Sequence, residues 1–266
     1  MKITGSTRFY GCIGDPIKQV KAPTVFSTIF AEKNIEAIMI PVHASAKELK
    51  KIIDGFKAIQ NFDGLIVTIP HKQTILEFCD RLEPAAQKIE AVNSIYFNSD
   101  RELIGNNFDG SGFAASLIGY NHIIRDKAIA LFGSGGAARS LAFALAEAGA
   151  GRLVIINRTV EKAESLAEKL QKLHGNQEIT FSCSGQLDLK NADIAINATS
   201  LGLNKEDPLP FNPAETGENC LIAEINVVPE TTSLLESALS IGRKVHYGAP
   251  MVEYQIPMHS EFLRMW

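Results

Sequence analysis

Four cysteines and one tryptophan in 266 residues leave little for a disulfide scaffold or a cysteine-based metal site. Cys12, Cys79, Cys183 and Cys220 stand far apart, without a CxxC pair or metal-ligand spacing, and the six histidines are equally scattered. All four are expected to be structural thiols in a reducing compartment, and no metal is expected. No apolar run reaches the roughly 18 residues that a membrane span requires, so no spanning helix is expected. Residues 1–8 are polar and lack the apolar core of a signal peptide, which points to a cytoplasmic protein. Lys and Arg total 26 against 30 Asp and Glu, a net charge of −4, and neither sign gathers into blocks. A nucleic-acid or membrane-surface protein normally carries a basic stripe, so neither partner is expected.

What remains is ordinary globular composition, 45% hydrophobic and 21% charged, enough for one large domain or two modest ones. Apolar runs alternate with helical patterns. Strands are predicted at 9–14, 37–42 and 63–70, with helices at 23–33 and 46–58, the first opened by Pro23. Residues 71–82 read as a helix, 91–106 as a hairpin around Asn98-Ser99-Asp100, and 108–120 as a helix. Then come a strand, glycine turn, helix and strand over 127–159, and a charged helix at 160–173. Further strands are predicted at 179–183, 193–199, 220–226 and 244–248, with helices at 232–241 and near 250–263. Uninterrupted apolar strands between helices imply mostly parallel sheets covered on both faces. The fold class is therefore α/β, in two α/β domains over 1–108 and 109–242, with 243–266 returning to the first.

The sharpest local signal is Gly133-Ser134-Gly135-Gly136-Ala137-Ala138, a G-x-G-x-x-A turn between an apolar strand and a long helix. Gly133 permits the tight turn, Gly135 lets the backbone approach a pyrophosphate, and Ala138 lets the helix pack on the strand. The helix start and its dipole then hold the anion. An NAD site normally has Asp or Glu at the end of the second strand. Here that strand ends in Asn157-Arg158-Thr159, with Lys162 one turn later and no carboxylate before Glu161. Arg158 and Lys162 suit a 2′-phosphate, with Asn157 and Thr159 as hydrogen-bond donors, so NADP is the expected cofactor.

Polar segments follow apolar strands at Thr68-Ile69-Pro70-His71-Lys72, Ala91-Val92-Asn93-Ser94 and Gly105-Asn106-Asn107-Phe108-Asp109-Gly110. Polar groups beyond strand carboxyl ends are candidates for substrate contact. With Gly14-Asp15-Pro16-Ile17, Asn197-Ala198-Thr199-Ser200 and Gln255, and in this order and spacing, the chain resembles the shikimate dehydrogenase family. The resemblance implies an N-terminal substrate domain, a C-terminal Rossmann-type NADP domain, and an active-site cleft between them. It implies a place in aromatic amino acid biosynthesis, in the chorismate pathway, with a small-molecule substrate and a monomer or homodimer. It implies that Lys72 and Asp109 handle the hydroxyl proton while hydride passes to or from the nicotinamide. Alcohol oxidation needs such a proton acceptor, and the reverse reaction needs a donor. Thr68, Asn93 and Gln255 resemble ring-hydroxyl contacts. Thr199, Ile225, Gly248 and Met251 fall where the family lines its cofactor site.

Three positions depart from the family pattern. The S-x-S-P turn that binds the substrate carboxylate reads Val20-Lys21-Ala22-Pro23, so both hydroxyls are missing. Val227 stands where a tyrosine belongs in the D-x-x-Y-N-P segment, here Glu224-Ile225-Asn226-Val227-Val228-Pro229, and Phe108 replaces a common threonine. A carboxylate without its donors loses charge-assisted bonds of about 1.5–3 kcal/mol each. Weak or absent turnover of shikimate is expected, with a substrate that is less acidic, more apolar or bound in another pose. The alternative is a regulatory NADP-binding member of the family that does not act on shikimate.

Overall fold

The structure, a computed structural model, describes residues 3–175, 177–183 and 189–266, the side chain of Cys183 excepted. The chain divides into two compact units, 1–108 with 256–266, and 109–255.

In the first unit, β1 (Arg8–Gly14), β2 (Ala37–His43), β3 (Phe62–Val67), β4 (Arg81–Leu82), β5 (Ser94–Phe97) and β6 (Leu103–Asn106) form one sheet. Its strand order is β2-β1-β3-β5-β6-β4. β1 runs parallel to β2 and β3, and β4 parallel to β6, while β5 is antiparallel to both neighbours. Every residue of β3 is buried, because both faces of the sheet are covered. Alternate side chains go to opposite faces. Tyr10, Cys12 and Ile66 join Phe26 and Phe30 of α1 (Ala22–Glu32), whereas Ile13, Leu65 and Val67 join Leu49 and Ile53 of α2 (Leu49–Ala58).

The helix predicted at 71–82 does not form. A short 3-10 turn spans Thr74–Phe78, and Arg81–Leu82 is β4, pairing with Ile104 and Gly105. Ile75, Phe78, Cys79 and Leu82 have helical spacing, but tertiary bonds claim the surrounding groups. The Lys72 carbonyl accepts from Val92 N at 2.7 Å, and the Asp80 carboxylate accepts from Leu103 N at 2.8 Å and Lys57 Nζ at 2.8 Å. A short helix, α3 (Pro84–Ile89), follows with proline in its first turn.

The second unit opens with α4 (Asp109–Gly119). Its sheet holds β7 (Ala128–Phe132), β8 (Arg152–Asn157), β9 (Glu178–Cys183), β10 (Ile194–Asn197), β11 (Leu221–Glu224) and β12 (Lys244–His246), all parallel. The order is β12-β11-β10-β7-β8-β9: the chain starts centrally, walks out to β9, then resumes at β10 on the other side of β7. This is the doubly wound order, with its switch point between β7 and β10. Its helices are α5 (Gly136–Glu147), α6 (Val160–Leu173), α7 (Ser233–Ser240) and the first half of α8 (Ala249–Phe262). The sequence expectation assigned 243–266 to the first domain. However, β12 is hydrogen-bonded to β11, so residues up to Gln255 stay with the second unit and only 256–266 join the first.

Cys12, Cys79 and Cys220 are free thiols; Cys183 lies outside the described side chains. Burial pushes Cys12 and Cys79 up to about 12 and Cys220 to about 11, which leaves them as unreactive thiols. Among the described residues, no helix is long and apolar enough to cross a membrane, and no three His, Cys, Asp or Glu side chains group to hold a metal.

Candidate active site

In the first unit, β1 and β3 end at one edge of the sheet, antiparallel β5 begins there, and β6 ends there. That geometry gathers the polar segments found in the sequence. Thr68 N donates to Ile13 O at 2.9 Å, Val67 N to Asn93 O at 2.8 Å, and Asn93 N to Asn106 O at 3.0 Å. Asn93 is buried, and its Oδ1 accepts from Phe108 N at 2.9 Å. His71 is fully buried with Nε2 2.7 Å from Ala44 O, which fixes the turn that carries half-buried Lys72.

Val20 and Ala22 flank Lys21, the N-cap of α1, which supplies no side-chain cap. Both are half-buried and pack against the cluster that includes Tyr10, Cys12, Phe26 and Phe30, while Lys21 is exposed. The Phe108 ring meets His259 and Phe262 edge-on at 5.3 and 5.6 Å. This wall of the unit is therefore apolar.

In the second unit, the predicted cofactor residues fall at the carboxyl ends of consecutive strands. Gly133 follows β7 with φ +121°, and a Cβ there would sit 2.6 Å from Ala198 O, so the turn requires glycine. Gly135 is the N-cap of α5, with open space where a Cβ would stand, and no side chain caps the helix. Ser134 is buried, Gly136 and Ala137 begin α5, and Ala138 is fully buried beneath them. Backbone N–H groups at an uncapped helix start facing open space fit a pyrophosphate. Asn157, whose Nδ2 donates to Thr159 O at 2.9 Å, ends β8, and Arg158, Thr159 and Lys162 are exposed around the start of α6.

Thr199, Ile225, Val227 and Gly248 follow β10, β11, β11 and β12, respectively, and Met251 N donates to Gly248 O at 3.2 Å. Asp109 is buried in the first turn of α4, where a carboxylate suits the helix dipole. The next residue, Gly110, donates its N–H to Ser140 Oγ of α5 at 2.7 Å. Gln255, buried in α8, packs its side chain on Gly112 of α4 and belongs to the second unit.

Sequence reasoning missed a buried polar knot at the ends of β10 and β11. Glu224 is fully buried; Oε1 accepts from Ile225 N at 2.9 Å and Asn226 N at 3.0 Å, and Oε2 from Asn197 Nδ2 at 2.9 Å and Thr232 Oγ1 at 3.1 Å. Burial raises its pKa above the usual carboxylate value, against the pull of these donors. The available signal was one glutamate in an otherwise apolar strand.

Two family models match the chain: the shikimate dehydrogenase substrate binding domain over residues 12–95, and shikimate / quinate 5-dehydrogenase over 117–204. Shikimate dehydrogenase (NADP(+)) of Methanocaldococcus jannaschii is 37% identical over 259 residues, covering 95% of this chain and 90% of its own. A crystal structure of a shikimate dehydrogenase in complex with NADP+ superposes with a TM-score of 0.90 at 32% identity, covering 98% of this chain and 91% of the other. Ligand-free 5-ketofructose reductase of Gluconobacter sp. strain CHM43 gives 0.84 at 28% identity, covering 97% and 92%. With a doubly wound sheet, a glycine turn at its switch point and these matches along nearly its whole length, the chain belongs to the shikimate dehydrogenase family.

Proposed function

We propose that this protein is an NADP-dependent dehydrogenase that reversibly interconverts the hydroxyl and keto forms of shikimate or a related cyclic hydroxy compound. The observation that carries this reading is the turn after β7. A positive-φ glycine, an open helix start and a topological switch point coincide there, in a chain whose relatives are named shikimate dehydrogenase (NADP(+)). The first unit is the substrate domain and the second the NADP domain. When bound, NADP supplies the hydride acceptor or donor. Arg158 and Lys162 hold its 2′-phosphate, assisted by Asn157 and Thr159. Thr199, Ile225, Gly248 and Met251 border its nicotinamide end. Lys72 and Asp109 hold and move the hydroxyl proton. Thr68, Asn93 and Gln255 hold ring hydroxyls. The protein works in the cytoplasm, as a monomer or homodimer, on small molecules.

A panel of cyclic hydroxy compounds mixed with NADP+ tests this reading through the absorbance of the reduced nicotinamide. Turnover with at least one member, faster with NADP+ than with NAD+, is expected. NADP+ binding without any turnover would favour the regulatory alternative instead.

A second reading of the substrate is favoured by the start of α1. Val20 and Ala22 offer methyl groups beside an aromatic cluster, and Val227 offers no hydroxyl. A substrate carboxylate beside Val20 and Ala22 would lose water without gaining hydroxyl donors from either side chain. The similar 5-ketofructose reductase is named for a neutral keto sugar, so the scaffold is compatible with such a substrate. A neutral analogue of shikimate, its carboxylate replaced by hydroxymethyl, is expected to give the higher kcat/KM. The opposite ranking would restore shikimate itself.

A further inference from the structure

Glu224 closes β11 with its carboxylate fully buried, and the groups facing it are donors: Ile225 N, Asn226 N, Asn197 Nδ2 and Thr232 Oγ1. From this one side chain, hydrogen bonds spread into the segments that follow β10 and β11. Asn197 Nδ2 also donates to Leu201 O at 2.9 Å, while its Oδ1 accepts from Thr199 N at 3.1 Å and Thr199 Oγ1 at 2.7 Å. Asn226 Nδ2 donates to Leu201 O at 3.0 Å. Thr232, which donates to Glu224, caps α7 by accepting from Leu235 N at 3.4 Å. The loop after β10, the loop after β11 and the start of α7 are thus tied to one buried acceptor.

In a doubly wound sheet, the two halves take the two nucleotides of the cofactor. The glycine turn and Arg158 lie on the β7–β8 side, whereas the knot lies on the β10–β11 side, behind Thr199 and Ile225. We propose that Glu224 is a positioning residue for the nicotinamide end of NADP, setting the two loops that border it without touching the cofactor itself. This inference rests on the second unit being the NADP domain.

Glutamine cannot replace this carboxylate. Its amide would turn N–H groups toward neighbours that are themselves donating, whereas a carboxylate only accepts. The misfit would displace Thr199 and Ile225, in the loops after β10 and β11, while the end of β8 with Arg158 lies two strands away from β10.

The test uses two ligands on the full-length protein: NADP+, and adenosine 2′,5′-bisphosphate, which has the 2′-phosphorylated adenosine end and no nicotinamide. For Glu224→Gln, calorimetry should show unchanged affinity for the bisphosphate. NADP+ should weaken by about tenfold or more, as for the loss of a buried charge-assisted bond. If that variant fails to fold, Asn226→Ala removes the outer bond to Leu201 and leaves the carboxylate in place; it should show the same split, more weakly. Equal losses for both ligands would mean a merely structural role, and unchanged NADP+ affinity would mean none; either overturns the inference alone. Failure of the wild-type protein to bind NADP+ would instead bring down the cofactor reading beneath it.

Discussion

Arg158 stands exposed just past β8, beside an Asn157 amide already engaged with Thr159 O. A guanidinium in that place gains most from a phosphate dianion and little from a ribose hydroxyl. Arg158→Ala is expected to weaken NADP+ by roughly 10- to 100-fold, the worth of one charge-assisted bond, while NAD+ changes little. Equal losses in a steady-state comparison of the two cofactors would reject the 2′-phosphate contact.

His246 makes a separate prediction about stability. It is buried, with Nε2 3.0 Å from Ser116 Oγ, and the Ser116 hydroxyl donates to Phe113 O at 2.7 Å, so the imidazole must be the donor to Ser116. Burial, and then neighbouring His122, lower its pKa from 6.5 to about 4. Between those values the unfolded chain takes up a proton that the folded chain refuses. Its effect is therefore to lower stability as pH falls through that window, by on the order of 2–3 kcal/mol. Urea midpoints at pH 7 and pH 4.5 should draw apart less in His246→Gln than in the wild type. Parallel falls would show that other groups set the acid limit.

At the scale of elements, the start of α1 is where specificity is open to change. Val20 and Ala22 are half-buried beside Lys21, and serine is smaller than valine and close to alanine in size, so the double change is expected to fold. Val20→Ser with Ala22→Ser should raise kcat/KM for shikimate by about tenfold or more, since one charge-assisted bond to a carboxylate is worth that much. No gain in a folded variant would mean that the missing hydroxyls do not limit that substrate.

Elements whose stability is local were legible in the sequence: the β7–α5–β8 unit, with its glycine turn and apolar strands, could be read directly. Residues 71–82 were not, because their helical spacing competes with bonds from Val92 and Leu103, which lie in other segments and carry no local signature. The helix α3 was missed for a simpler reason. Six residues opened by a proline are too few to show a period.

For the whole molecule, the doubly wound order follows from alternating strands and helices, and its switch point falls where the glycine motif stands. The polar edge of the first unit was legible as isolated segments, but which segments meet depends on β5 running antiparallel, and no single segment shows that. The knot around Glu224 was invisible for the same reason: Asn197, Asn226 and Thr232 gain meaning only once β10 and β11 are paired.

NADP-linked alcohol oxidation with Lys72 and Asp109 moving the proton is tested most sharply by comparing wild type with Lys72→Ala in two readouts, NADP+ affinity and kcat on the best substrate of the panel. NADP+ affinity should stay unchanged and kcat should fall by about 10²-fold or more, the usual contribution of a positioned acid or base. A variant that turns over as fast as the wild type would contradict this role for Lys72.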